Sequence, residues 1–135
     1  MNQNLRIFTY AWAAPASTIG LIATTIAVWL GATCRVVDGV LEVAGGRLAS
    51  VVPVLPGCCH LEAITFGHVV IGLDHADLCH HRSHEHVHVR QYERWGVLFF
   101  PLYLGSSLLQ LLRGRDPYLD NRFEREAFSR ADARG

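Results

Sequence analysis

The sequence contains no lysine, and no part of it is strongly charged in one sign. All twelve basic side chains are arginine, and twelve acidic side chains balance them, so the formal net charge is zero. The arginines form no basic patch interleaved with aromatic residues, which is the pattern typical of proteins that bind nucleic acids. We therefore expect no nucleic acid among the partners of this chain.

A second absence is the C-x-x-C pair that marks many zinc-binding and redox sites. The four cysteines are Cys34, Cys58, Cys59 and Cys79, and the adjacent two cannot easily bridge each other. One disulfide between distant cysteines and four free, buried thiols are both open, and the free thiols are the simpler expectation.

Charged residues are also absent from residues 13–33, which contain only apolar and a few small polar side chains. At ~1.5 Å of rise per residue, about 20 helical residues span the ~30 Å hydrocarbon core of a bilayer. Tyr10, Trp12 and Trp29 flank the run as interfacial aromatic residues do. We predict a transmembrane helix in an N-terminal hydrophobic anchor, residues 1–33. A buried core helix is the alternative, and a cleaved signal peptide fits less well.

The strongest pattern that is present lies in residues 84–88, which read His-Glu-His-Val-His and match H-E-x-x-H. Residues four apart lie on one face of a helix, so His84 and His88 can reach one metal ion. Glu85 lies beside them, where its carboxylate can act on water bound to that metal. The motif is typical of metal-activated hydrolases. A His-rich surface helix that binds metal loosely is the alternative, because five of the eight histidines lie from His80 onwards in this stretch.

A zinc site needs a third protein ligand. His80 cannot serve together with His88, because they stand ~12 Å apart along a helix axis and zinc binds nitrogen at ~2.1 Å. Residues 120–127 predict a second helix that opens with a polar cap. Glu124 in that helix is the best candidate for the third ligand, and Glu126 is the fallback if the helix phase favours it.

The two motifs together resemble the gluzincins, zinc metallopeptidases in which a second helix carries the glutamate ligand. The stretches 84–91, 95–104 and 123–127 are similar to small bacterial membrane-associated proteins of that type. They resemble more remotely the membrane-bound CAAX-prenyl and heat-shock metallopeptidases. The similarity covers about residues 63–128.

The resemblance implies an active zinc metallopeptidase whose metal ligands are His84, His88 and Glu124. Zinc keeps a fourth position for water and lowers the pKa of that water towards ~7. Glu85 is then the general base that takes the proton and passes it to the leaving amine. The expected substrates are peptides or membrane-proximal protein segments.

The chain departs from these families after the alanine of the second motif, where Phe128 replaces the acidic or amide residue that orients a zinc-bound histidine. Glu126, Asp120 or a backbone carbonyl are the candidates for that orienting role, which is typically worth ~10 to 100-fold in metal affinity or activity. Four further side chains are unranked candidates for the donor that stabilises the oxyanion: Tyr92, Tyr103, Tyr118 and His68.

Between the apolar N-terminus and the motif, short runs of β-branched residues predict a small antiparallel sheet. Asp38 and Gly39 lie between apolar runs and predict a hairpin, after which Gly45 and Gly46 end the strand. Residues 53–57 predict a loop. Residues 63–72 read as one strand that leads into the motif helix and lines the cleft, as in gluzincin-like folds. Two acidic residues are candidate caps of that helix, Asp74 and Asp77, and we expect it to end near Trp95 with Gly96 as its stop.

Residues 97–112 are uncharged and mostly apolar, and they raise a question of topology. If they spanned the membrane, the two histidines and Glu124 would lie on opposite sides of it and could not share an ion. We therefore expect a broken or dipping element, with the break favoured by Pro101 and Gly105, that forms a hydrophobic surface beside the cleft.

The expected fold is α+β: an N-terminal helix, a small antiparallel sheet, the motif helix and further C-terminal helices, with residues 34–135 as a minimal zincin-like domain. The resemblance implies a location at the bacterial inner membrane. Arginine is more frequent after the first apolar run than before it, which favours the cytoplasmic side for the site. Two hypotheses compete with a peptidase. One is a non-catalytic metal-binding or scaffold protein that sequesters zinc or nickel, and the other is a membrane interaction protein.

Overall fold

The computed structural model describes residues 2–56 and 61–134. The helices are α1 (Gln3–Trp29), α2 (Leu48–Val51), α3 (His75–Trp95), α4 (Phe99–Leu112) and α5 (Arg122–Asp132). The strands are β1 (Thr33–Val37), β2 (Val40–Ala44), β3 (Ala63–Phe66) and β4 (Val69–Gly72), and 3-10 turns cover Val52–Val54 and Gly96–Leu98. The α+β class, the small sheet and the helices at both ends of the chain are as the sequence predicts.

The four strands form one sheet in the order β1-β2-β4-β3, and the prediction of a purely antiparallel sheet is wrong. The hairpin of β1 and β2 turns at Asp38 and Gly39 as expected, but β2 and β4 are parallel. Residues 63–72 are two antiparallel strands instead of one, joined by a turn in which Gly67 has a φ of +60°. A side chain at Gly67 would collide with Ser17 of α1, so the turn depends on glycine there.

Helix α1 covers one face of the sheet with a stripe of small residues. The buried members are Thr9, Ala13, Ala16, Gly20, Thr24 and Ala27. A Cβ on Gly20 would stand 2.7 Å from the Cβ of Val69, so the helix lies directly on β4. That residues 1–33 form a separate anchor stays a prediction. The buried stripe of this segment contacts the rest of the fold.

The outward face of α1 is apolar and exposed, from Leu5 to Trp29. Within the described residues, two helical stretches are long and apolar enough to cross a membrane: Gln3–Trp29 and the run His75–Leu112 that contains α3 and α4. The sequence-based expectation of an apolar N-terminal helix of membrane-spanning length is confirmed.

Helix α3 packs on the other face of the sheet, and beyond the sheet Ala13 and Ala16 of α1 pack directly with Tyr92 of α3. Its first turn is capped by Asp74, whose carboxylate accepts a hydrogen bond from the backbone N–H of Asp77 at 2.8 Å. The helix ends at Trp95, and Gly96 follows with a φ of +56°. The predicted cap and stop of the motif helix are thus both confirmed.

The predicted break of residues 97–112 lies elsewhere than at Pro101 and Gly105. The chain breaks at Gly96 and its 3-10 turn, and α4 then runs without interruption from Phe99. Pro101 is the third residue of α4, where a backbone N–H would have no partner within the helix, so proline does not disturb it. Gly105 lies in open space and bends nothing.

The expectation of buried thiols is wrong for the cysteines that can be described. Cys34 and Cys79 are free and exposed. Cys58 and Cys59 lie outside the described residues, as does the last residue of the predicted loop 53–57.

A buried ion-pair cluster joins the sheet to α3. Glu42 in the middle of β2 accepts hydrogen bonds from Arg82 of α3 at 2.7 and 3.0 Å and from Arg35 of β1 at 3.1 Å. Burial alone would raise the pKa of the Glu42 carboxyl, but the two guanidinium groups outweigh it and lower the pKa. The cluster therefore holds α3 in register with the sheet only while Glu42 is ionised.

We expect Glu42→Gln to lower the free energy of unfolding at pH 7 by about 2 to 3 kcal/mol, because both arginines lose a charged partner. The folded pKa of Glu42 lies below its ordinary value of 4.5, so the stabilisation is complete above that pH and is lost as the pH falls through the folded pKa. Denaturant titrations in detergent between pH 7 and pH 3 measure this. The exposed Glu62→Gln serves as control, and an equal loss at every pH would contradict the prediction.

Candidate metal centre

The centre of the site is the inner face of α3, where the side chains of His84, Glu85 and His88 are all buried. The spacing of the motif turns both imidazoles towards α5, and helix packing brings Glu124 of α5 against them. Their ligand atoms all lie within 4.8 Å of one another. The three ligands expected from the sequence are therefore brought together.

The distances among these atoms match a single tetrahedral ion. Nε2 of His84 lies 2.9 Å from Oε2 of Glu124 and 3.2 Å from Nε2 of His88, which is 3.3 Å from Oε1 of Glu124. Zinc bound to nitrogen and oxygen at ~2.0–2.2 Å separates tetrahedral ligands by about 3.3–3.5 Å. Two neutral imidazoles and a carboxylate also have the chemistry that zinc prefers. The residues present fit a zinc ion.

Helix α5 owes its position to Asn121, its N-cap. The side-chain oxygen of Asn121 accepts a hydrogen bond from the N–H of Phe123, and its amide donates to the carbonyl of Tyr103 and the hydroxyl of Ser107. Asn121 is fully buried, so the start of α5 is fixed against α4. Glu124 lies in the first turn after this cap and is thereby aimed at the histidines.

The Glu124 carboxylate is strongly stabilised in its ionised form. Burial raises its pKa, but hydrogen bonds with His84 and His88 and from the hydroxyl of Tyr103 outweigh the burial and lower the pKa to about 2. Tyr103 donates to Oε1 at 2.5 Å. Glu124 is thus ready to bind a cation at any physiological pH.

Gln91 is the functional residue that sequence reasoning missed. Its side-chain oxygen accepts from Nδ1 of His88 at 2.8 Å, and its amide nitrogen donates to the carbonyl of Phe123 and to Glu126. Because both neighbours of the amide nitrogen are acceptors, the amide has one orientation and His88 must carry its proton on Nδ1. In the neutral imidazole, Nε2 of His88 is then the nitrogen that could bind a metal ion. The available signal in the sequence was a glutamine three residues after His88, on the same side of the helix.

Among the described residues, the histidine-orienting role expected from the sequence is taken by Gln91 for His88, and no residue takes it for His84. Glu126 contributes indirectly, as the partner of Gln91 and Arg130, and does not join the ligand group. Asp120 accepts a backbone hydrogen bond from Asp116 and takes no part. The ring of Phe128 lies against His84, with centroids 4.4 Å apart. Nδ1 of His84 is buried and has no hydrogen-bond partner among the described residues.

Glu85 is held by the edge strand of the sheet. The hydroxyl of Thr65 in β3 donates to Oε2 of Glu85 at 2.8 Å. Both side chains line a cavity of about 730 Å³ that also contains the three ligands. One wall of this cavity is β3, which pairs only with β4, so its other edge is free among the described residues to accept a further strand. The expectation that this part of the chain lines the cleft is confirmed.

The candidate oxyanion donors can now be ranked by position. His68 pairs with Glu93 at 2.8 Å and stacks on Tyr10, and it is not among the residues that line the cavity. Tyr103 is engaged with Glu124, and Tyr92 is buried. Tyr118 lines the cavity and is half exposed. Burial raises the pKa of Tyr118, and the charges of Glu124 and Glu85 raise it further, so its hydroxyl keeps the proton that a donor needs.

The remaining histidines of the described chain lie apart from this group. His75 bonds to Thr33, His81 to Glu62, and His86 lies 3.7 Å from Glu42, while the ring of His80 packs edge-on against that of His81. Among the residues described, the group of His84, His88 and Glu124 is the one that could hold a metal ion.

Comparison of the chain with protein-family models, with curated proteins and with solved structures finds no match.

We expect the purified protein to bind about one zinc ion, and His88→Ala and Glu124→Ala to lose it, because two remaining ligands hold zinc weakly. Glu126→Ala is the matched control and should keep the ion. Metal analysis after dialysis measures this. Several loosely bound ions that persist in both variants would favour the His-rich scaffold instead.

We expect Gln91→Met to weaken zinc binding by about 10 to 100-fold, because the Nδ1 proton of His88 loses its acceptor. Competition with a chromophoric chelator measures the affinity. Gln110→Met, at the other buried glutamine in the described part of the chain, should leave the affinity unchanged. Equal affinities in the two variants would remove the orienting role of Gln91.

Proposed function

We propose that this chain is a membrane-associated zinc metallopeptidase of the gluzincin type. One observation carries the proposal: two imidazoles of α3 and a carboxylate of α5 converge at tetrahedral spacing, with Glu85 beside them in an open cavity. A purely structural zinc site is closed by four protein ligands, whereas three ligands at a cavity leave a position for water.

In the proposed hydrolysis of a peptide bond, each role is assigned to a particular side chain. Bound zinc supplies a Lewis acid that makes a water molecule acidic near neutral pH and polarises a peptide carbonyl. Glu85 accepts the proton of the attacking water and delivers it to the leaving amine nitrogen, while Thr65 holds the carboxylate in place. The Tyr118 hydroxyl donates to the oxygen on which negative charge develops.

The free edge of β3 supplies the binding surface for the substrate backbone. A polypeptide in extended conformation can add to this edge through main-chain hydrogen bonds. Thr65 connects the same strand to Glu85, so a peptide bound to β3 lies within reach of the general base. This mode of binding requires an extended segment and imposes little sequence preference through the backbone.

The apolar outer faces of α1 and α4 support a location at the membrane. We assign the protein to the bacterial inner membrane, with residues 1–33 as its anchor. Helix α4 does not cross the bilayer in this proposal, because its first turns border the metal centre and Asn121 ties the returning chain to it. Arg113 and Arg115 follow α4 and favour the cytoplasmic side.

We expect Glu85→Gln to keep its zinc and to lose peptidase activity by about 10² to 10⁴-fold, because an amide cannot accept the proton. Cleavage of a fluorogenic peptide mixture in detergent, with zinc content measured on the same samples, tests this. Glu93→Gln is the control on the same helix, since Glu93 pairs with His68 and does not line the cavity. Full activity in Glu85→Gln would exclude Glu85 as the base. Stoichiometric zinc with no Glu85-dependent cleavage would favour a non-catalytic metal-binding protein.

A further inference from the structure

The mouth of the cavity is lined by aromatic rings that the fold leaves partly uncovered. Phe100, Tyr118 and Phe128 are 51%, 49% and 41% exposed, and all three line the cavity. Single exposed apolar residues are common on proteins, but several aromatic rings around one concave site mark a place where another apolar group binds. These three residues, the aromatic rim, surround a floor made of the metal ligands.

The inner wall of the cavity is also aromatic. Phe99 and Tyr103 each lie with ring centroids 6.3 Å from that of His88, and Phe128 lies 4.4 Å from His84. The Glu124 carboxylate is engaged by His84 and by the hydroxyl of Tyr103, so the wall next to the ligands offers mainly apolar surface. A side chain that enters here gains by burying apolar area, at roughly 25 cal/mol per Å².

The edge strand determines which side chains of a bound segment reach this wall. Thr65 points to the α3 side of the sheet, where it contacts Glu85. Side chains alternate between the two faces of a sheet, so every second residue of a segment paired with β3 turns to the same side as Thr65. That side holds the ligands, the aromatic wall and the aromatic rim.

Phe128 lies where the aromatic rim meets the metal ligands. Its ring lies 4.4 Å from that of His84 and is 41% exposed at the cavity, so it connects the aromatic rim to the metal ligands. Helix α4 continues outward from Phe100 with exposed Leu104 and Leu108, so the cavity adjoins the apolar surface of the protein.

We propose that the cavity selects extended polypeptide segments with a large apolar side chain next to the cleaved bond, and that Phe100 and Phe128 are specificity-determining residues for it. This inference rests on the proposed function and names its substrate class. Apolar segments of this kind are the ones that a membrane-associated enzyme meets at the bilayer surface.

The test uses the full-length, zinc-loaded protein in detergent and a positional-scanning library of fluorogenic peptides. In each sublibrary one position is fixed as Leu, Phe, Ser or Asp and the others are randomised. We expect kcat/KM to be about 10 to 100-fold higher with Leu or Phe than with Ser or Asp at one position flanking the cleavage site. Phe100→Ser and Phe128→Ser should reduce this ratio several-fold, while Leu108→Ser on the exposed part of α4 should preserve it.

A second measurement separates this inference from the catalytic one. Zinc-loaded Glu85→Gln protein is titrated with labelled peptides of the same library, and binding is followed by fluorescence anisotropy. Tighter binding of the Leu and Phe peptides, reduced in Phe100→Ser, supports the pocket even if no peptide is cleaved, and the peptidase proposal alone then fails. Glu85-dependent cleavage without preference, or with preference for Ser or Asp, overturns the pocket and leaves the peptidase standing. Equal binding of all peptides with no cleavage overturns both.

Discussion

The structure depends on the register between α3 and α5. Four polar contacts between the helices determine it: His84 with Glu124, His88 with Glu124, Gln91 with the carbonyl of Phe123, and Gln91 with Glu126. A buried polar group left without a partner costs about 1 to 3 kcal/mol, so a slip of either helix by one residue would break several contacts together. The two helices are therefore locked in the arrangement that a metal ion requires, and the ion itself need not impose it.

Apolar surface is distributed unusually in this chain. Much of it lies outside, on α1 and α4, whereas the interior between the helices contains charged and polar clusters around Glu42 and Glu124. Each of these buried carboxylates accepts several hydrogen bonds, from Arg82 and Arg35 at Glu42 and from the histidines and Tyr103 at Glu124, and these lower the pKa of both carboxyls despite the cost of burial. This distribution agrees with the proposal that the outer helices contact lipid and that the chemistry takes place in the cavity.

The elements with strong local signals could be predicted from the sequence. The cap at Asp74, the stop at Gly96 and the hairpin at Gly39 each depend on a few adjacent residues, and so does the spacing of His84 and His88. The parallel pairing of β2 with β4 was missed because a crossover brings together strands that are distant in sequence. Gln91 was missed because its role depends on the carbonyl of Phe123, which only the packed fold brings near. The break predicted at Pro101 was wrong because proline breaks a helix in its interior but is tolerated in its first turn.

The stripe of small residues on α1 has a practical consequence. Ala27 and Leu30 pack with Val43, Leu48 and Val69, so the first helix closes the hydrophobic core over the sheet face that α3 does not reach. A fragment trimmed to begin after Trp29, as is often made to obtain soluble material, would uncover that layer and present bare β-sheet to water. The apolar N-terminal helix thus also covers the core, and a detergent that binds its outer face must leave its inner face in place.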